Sequence, residues 1–219
     1  MAKSFWRCPE FKNRKQIGDL EKRILLLSQK NNCAVFSFTG CRGGEGVSTI
    51  IVNLVNYLAT TESEKKALVI DANFKAPVLH EALGKNLGHG LSDILKGTSS
   101  WSDAVTSTDF ENVHFLSCGS AYQQMAGNLE QAKQGAVLAE IRGMYDYVLV
   151  DSPAVLTSAD SLTVAVAADA TFLVIQSLNT PKEVADRARS LLDDNECFIG
   201  GVLLNRMRQV IPGWMYKLL

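Results

Sequence analysis

The chain has 219 residues, 47% apolar and 21% charged, enough to bury a sizeable core, and reads most simply as a single domain. Its formal net charge of −1 lacks the basic excess of a general nucleic-acid binder, so no nucleic-acid partner is expected. No apolar run approaches a membrane span, no signal-peptide core opens the chain, and the five cysteines (Cys8, Cys33, Cys41, Cys118, Cys197) show no C-x-x-C spacing; a reducing, cytoplasmic setting is expected, without a disulfide framework or zinc site.

Residues 1–15 form a basic arm with interleaved Phe5, Trp6 and Phe11. Eight bases against three acids fill the first thirty residues, so the arm reads either as a docking segment for a membrane surface or partner, or as a solvated terminus. The domain proper is expected over 16–210, followed by an aromatic, basic tail at 211–219. From Gln16 to Lys30, Ile17, Leu20, Ile24 and Leu27 make one stripe of an amphipathic helix.

Ala34 to Thr39 is short, aromatic and β-branched, the pattern of a buried strand, and closes at Gly40. A glycine-rich turn follows at Gly43, Gly44 and Gly46, and Ser48 and Thr49 then open a helical pattern carried by Ile50, Ile51, Leu54 and Leu58. Glycines let successive N–H groups line one concavity, and the following helix N-terminus favours negative charge, so the unit reads as a phosphate cradle. Against the pattern G-x-x-x-x-G-K-[ST], only Gly46 and Ser48 fit: Cys41 stands at the first glycine and Val47 at the lysine. Arg42 is the nearest replacement cation, able to grip a phosphate oxygen in a planar fork. Taken alone, the stretch also reads as a solvent turn without a ligand.

Lys66 to Asp71 is a second buried strand, ending in an acid on the rim where open α/β sheets bind ligands. Asp71 also suits a plain turn or cap. A loop runs from Ala72 to Pro77, short helices lie at Val78–Leu83 and Gly90–Leu95, and a strand at Val113–Leu116. His80, His89 and His114 are scattered and carry no metal-ligand spacing. A helix is expected at about Leu129–Met144, then a strand at Tyr145–Val150 running into Asp151, as in a Walker B motif that holds magnesium or its bound water. Helices at Asp160–Ala168 and Pro181–Leu192 alternate with strands at Thr171–Gln176 and Phe198–Leu204, and Asn205 closes the last strand on the ligand rim. The β-α alternation, with apolar strands lacking period two, predicts an α/β fold: a mainly parallel sheet covered by helices on both faces.

These segments together resemble the bacterial tyrosine kinases of capsule and exopolysaccharide synthesis, a branch of the MinD/ParA-type P-loop ATPases. The likeness runs from about Gln16 onward through GGEGVSTIIVNLVNYLA, ALVIDANFKAPVLHEALG with GLSDILKG, YDYVLVDSPAVLTSADS and FIGGVLLNR. It implies ATP or ADP with Mg2+ as ligands. Arg42, Gly43, Gly44, Glu45, Gly46, Val47, Ser48 and Thr49 would hold the phosphates and Asn205 the adenine. Ser48, Asp71 and Asp151 would serve the metal, and Asp71, Asp151 and Arg42 would carry catalysis. It also implies a membrane polysaccharide co-polymerase as partner, homo-oligomerisation, and a place at the inner face of the membrane through that partner.

The departures from the family pattern bear on activity. Besides Val47, the A′ motif D-x-D-x-R reads Asp71-Ala72-Asn73-Phe74-Lys75, and Walker B D-x-x-P ends in Ala154 beside Pro153. The tyrosine cluster is reduced to Tyr216, and no E-x-x-R-x-x-R follows Glu21. Three readings follow: a weakened ATP-using kinase, a non-enzymatic regulator of a polysaccharide chain-length protein, and a MinD-like positioning ATPase.

Overall fold

The computed structural model describes residues 14–31, 34–61, 64–125 and 131–207. The expected N-terminal arm lies outside them except for Arg14 and Lys15, which open the first helix; Cys8, Cys33 and the 211–219 tail with Tyr216 also lie outside. In chain order the elements are α1 (Arg14–Asn31), β1 (Val35–Gly40), α2 (Val47–Thr61), β2 (Ala67–Asp71), α3 (Leu79–Ala82), α4 (Leu91–Lys96), α5 (Trp101–Ala104), β3 (Val105–Ser107), β4 (Val113–Leu116), α6 (Tyr122–Met125), α7 (Gln131–Ile141), β5 (Tyr147–Asp151), α8 (Ala159–Ala167), β6 (Ala170–Gln176), α9 (Lys182–Asp194) and β7 (Ile199–Asn205).

Among the described residues the sheet has seven strands in the order β3-β4-β2-β5-β1-β6-β7, and every neighbouring pair is parallel except β3 with β4. The expected fold class is therefore realised. All residues of β1, β2 and β5 are buried, because helices cover both faces of the sheet centre. Their side chains still alternate between faces. Phe36 and Phe38 join α1 and α2 in one apolar cluster with Ile24, Leu54 and Phe172, while Val35, Val148 and Val150 join α4, α7 and α8 in another. A third cluster packs Leu173 of β6 against Ala165 of α8 and Leu192 of α9. Phe38 and Phe172 stack with ring centroids 5.1 Å apart, pinning β1 to β6.

Several elements differ from the sequence expectation: the short helices α5 and α6 stand where no helix is expected, and β3 and the start of β5 differ as well. Three-residue β3 was not anticipated, because its Thr106 and Ser107 are exposed and offer no apolar run. Helix α7 ends at Ile141, and β5 starts at Tyr147 instead of Tyr145. Between them Gly143 adopts a left-handed φ of 87°, Tyr145 turns edge-on to His114, and the Asp146 side chain accepts the Lys66 N–H at 2.9 Å. These contacts turn the chain, and Tyr145 makes only an isolated bridge with Arg142 before the β5 ladder begins.

The parallel order brings the carboxyl ends of β1, β2 and β5 side by side. Asp71 and Asp151 are register partners on neighbouring strands, and Phe38 of β1 pairs with Asp151 from the other side. Helix α1 is part of this scaffold: Ile24 is fully buried against the α2 face, whereas Leu26 is 46% exposed. Truncating Ile24 to Ala is expected to cost about 2–5 kcal/mol in urea unfolding. Leu26→Ala should change stability by about 0.5 kcal/mol or less, and equal losses at the two positions would mean that the α1 stripe is not what docks the helix.

Candidate nucleotide and metal site

The loop between β1 and α2 crosses the carboxyl end of β1. Gly44 and Gly46 take φ values of 83° and 90°, which side-chain-bearing residues rarely adopt. Around Gly43 and Gly44 no heavy atom lies within 4 Å of where a Cβ would stand, so this side of the loop is open. At Gly46 the opposite holds: a Cβ would collide with Nδ2 of Asn205. The loop is thus open where phosphate oxygens would approach and closed where the last strand supports it.

The two departures from the phosphate-loop pattern have different structural meanings. Cys41 turns fully into the core with Val155, Ala165 and Leu173, and burial pushes its thiol up to about 12. Losing that glycine leaves the concavity untouched. Val47, the first residue of α2, is half-buried and packs on the cluster around Phe38 and Leu54, so an apolar surface stands where a cation is expected. Arg42 and Thr49 are exposed on the loop rim.

Ser48 donates its hydroxyl to Oδ2 of Asp151 at 2.5 Å, bringing the α2 start and the β5 end into direct contact. The other oxygen, Oδ1 of Asp151, is buried without a partner among the described residues. Asp71, equally buried, accepts the N–H of Asn73 on Oδ1 and of Leu79 on Oδ2, both at 3.1 Å. The turn-and-cap role and a place beside the metal candidate coincide in this one side chain. No Lys or Arg among the described residues forms an ion pair with either carboxylate. The nearby A′ residue Lys75 instead donates to the Thr157 carbonyl at 2.6 Å, tying the loop after β2 to the loop after β5.

Burial, then the neighbouring Asp71, pushes Asp151 well above the usual carboxylate range, against the opposing pull of the Ser48 hydroxyl. Burial likewise raises Asp71, to about 6, against the N–H groups that lower it. Two desolvated acids without a counter-charge make a cation-attracting pocket. A magnesium ion needs only one or two protein carboxylates when phosphate oxygens and waters complete its shell. The orphaned Oδ1, the Ser48 hydroxyl and the open glycine loop fit that requirement.

Asn205 lies beside the loop, and its amide is engaged with protein: Nδ2 donates to the Glu45 carbonyl at 2.8 Å, and Oδ1 accepts the Arg206 N–H at 2.8 Å. Glu45 is 2% exposed, with its carboxylate turned onto the loop backbone and onto Thr180. Thr180 carries no sequence signal beyond its position after β6, on the same rim. Among the described residues no group of three His, Cys, Asp or Glu side chains could hold a metal ion; His114 bonds Tyr145 through Nδ1 at 2.9 Å.

A phosphate loop before the first crossover helix and two acid-tipped strands, on a parallel sheet, define a P-loop ATPase fold. A family model described as an AAA domain matches residues 33–183, and the chain belongs to that family. Over 190 residues it is 30% identical to "Tyrosine-protein kinase wzc" of Salmonella typhimurium, covering 86% of this chain and 26% of that protein. It thus spans about a quarter of that relative's length. Over 197 residues it is 29% identical to "Tyrosine-protein kinase YwqD" of Bacillus subtilis, covering 90% and 82% of the two chains. The VpsO kinase domain superposes with a TM-score of 0.73 at 27% identity, over 89% of this chain and 98% of that one. MinD of Pyrococcus horikoshii, complexed with Mg-ADP, shares the fold with a TM-score of 0.68 at 24% identity, over 84% and 76%. The expected likeness to bacterial tyrosine kinases on a MinD-like fold is thus realised, and the family implies nucleotide binding. No helix among the described residues is long and apolar enough to cross a membrane.

The raised acids set a pH dependence for the ligand-free protein. From about pH 4 upward, through about 6 for Asp71 and with Asp151 also held well above the usual carboxylate range, the unfolded chain releases these protons before the folded pair does, so stability falls as pH rises. Asp151→Asn removes the desolvated charge while leaving an oxygen for Ser48. It should raise the melting temperature at neutral pH, by about 2–4 °C per kcal/mol relieved, with the gain shrinking toward pH 4. A variant no more stable than wild type at neutral pH would contradict an uncompensated carboxylate.

Proposed function

We propose that this chain binds ATP and ADP with magnesium as a tyrosine-kinase-like domain acting beside a membrane polysaccharide co-polymerase, with phosphoryl transfer weakened by the missing loop lysine. The observation that carries the reading is the contact of Ser48 with Asp151, in register with Asp71, at the mouth of an open glycine loop. Backbone N–H groups of the loop from Gly43 to Ser48 would receive phosphate oxygens, with Arg42 supplying the positive charge that Val47 cannot. Ser48, Asp151 and Asp71 would hold magnesium directly or through its waters, and the ion when bound would neutralise phosphate charge and align the leaving group. Phosphoryl transfer depends mainly on position and charge, so a displaced arginine is chemically able to serve.

The likeness to Wzc and YwqD supports a role in capsule or exopolysaccharide synthesis, a co-polymerase as membrane partner and a position at the inner membrane face. A second reading, a nucleotide-responsive scaffold without turnover, draws on one observation: Val47 contributes to the apolar core instead of the phosphate site. The MinD-like positioning role has only the shared fold behind it.

Incubation of purified protein with Mg-ATP separates these readings. Phosphotyrosine or released phosphate, abolished in Asp71→Ala, is expected; nucleotide binding without either product, alone and with the co-polymerase, selects the scaffold. Absence of both Mg-ATP and Mg-ADP binding would overturn both. Restoring the loop cation should also register. Val47→Lys is expected to tighten Mg-ADP binding by roughly 1–3 kcal/mol, the scale of a charge-assisted hydrogen bond, since a lysine stem can still cover the apolar surface beneath it. Unchanged affinity by calorimetry would mean that residue 47 does not face the phosphates.

A further inference from the structure

Four groups from three parts of the chain converge on Glu45. Its Oε2 accepts the N–H groups of Cys41 at 2.6 Å and Arg42 at 3.1 Å, closing the first half of the loop on itself. Its Oε1 accepts the hydroxyl of Thr180, 135 residues further on, in the turn between β6 and α9. Its carbonyl accepts Nδ2 of Asn205 at the end of β7. The carboxylate fits tightly: a Cβ on Gly40 would stand 2.7 Å from Oε2 and 2.9 Å from the Arg42 carbonyl.

A buried carboxylate with these partners does two things. It occupies the Cys41 and Arg42 N–H groups, leaving the amides further along the loop for an anion. It also transmits the position of the β6–α9 turn to the loop, because the Thr180 hydroxyl reaches the same carboxylate that orders the loop backbone. In a loop with its lysine, one strong cation helps to hold the phosphates; here Val47 provides none, so affinity depends on how well the amides are aimed.

We propose that Thr180 and Glu45 are a positioning pair through which the β6–α9 turn holds the phosphate loop in its nucleotide-binding posture. Neither side chain is assigned contact with the ligand. The proposal rests on the nucleotide-binding reading and adds the element that governs it. A partner or ligand that displaces the turn at Thr180 would loosen the loop without touching it.

The test uses Mg-ADP as probe, calorimetry for affinity, thermal melting for the fold, and hydrogen exchange at the Cys41 and Arg42 amides. Thr180→Val is expected to weaken Mg-ADP binding about tenfold and to speed exchange at those two amides, with the melting temperature close to wild type. Thr180→Ser, which keeps the hydroxyl, should restore both. In a Glu45→Ala background Thr180→Val should have no further effect, since its route to the loop is gone. Wild-type affinity and exchange in Thr180→Val would overturn the pair while leaving nucleotide binding intact. Loss of binding only together with loss of the fold, or additive effects of the two substitutions, would overturn it as well. A wild-type chain that binds no Mg-ADP removes the nucleotide reading and this role with it.

Discussion

Two carboxylates buried side by side, without a basic partner among the described residues, are the constraint around which the binding end of this molecule is arranged. Asp71 and Asp151 meet because β2 and β5 are parallel neighbours in register, and Ser48 reaches Asp151 because α2 begins where the β1 loop ends. Isolated buried charge is expensive, and native proteins keep it where a ligand supplies the compensation. The oxygen of Asp151 left without a partner among the described residues is the point at which that compensation is missing.

That acidic pocket faces a loop that has lost its own cation. Loss of the first glycine and loss of the lysine look alike as departures from a motif, but they differ in consequence. Cys41 is absorbed by the core, whereas Val47 replaces charge with apolar surface at the mouth of the cradle. Phosphate binding would then rest on backbone dipoles, on Arg42 and on the metal. Backbone dipoles act only when held in place, which gives weight to the hydrogen bonds joining the loop through Glu45 to Thr180 and Asn205. Lys75, at the arginine position of the A′ motif, engages the Thr157 carbonyl with its ammonium and links the loops after β2 and β5. Cohesion among the loops takes the place of a single strong contact.

A family model over residues 33–183 makes the chain an AAA-domain protein, its relatives include proteins named as tyrosine kinases, and its sheet is shared with MinD. Likeness of fold carries no rate. Recovery of the charge absent at residue 47 is a property of the loop's geometry when occupied and not of the fold.

Much of the architecture was legible in the sequence by itself. Apolar runs ending at Gly40, Asp71 and Asp151, separated by helical periods, determined a parallel sheet with these three residues on its carboxyl rim, because strand direction and the handedness of crossovers leave few alternatives. Glycines in the loop and a hydroxyl after them gave the expectation of a phosphate cradle. Tertiary structure alone decided the rest. Antiparallel β3 forms through pairing with β4 and carries no apolar signal of its own. Asp71 proved to be both turn acceptor and neighbour of Asp151, a coincidence set by register. Glu45 and Thr180, 135 residues apart, meet only because β6 lies beside β1, and pairing at that separation leaves no mark on local periodicity or composition.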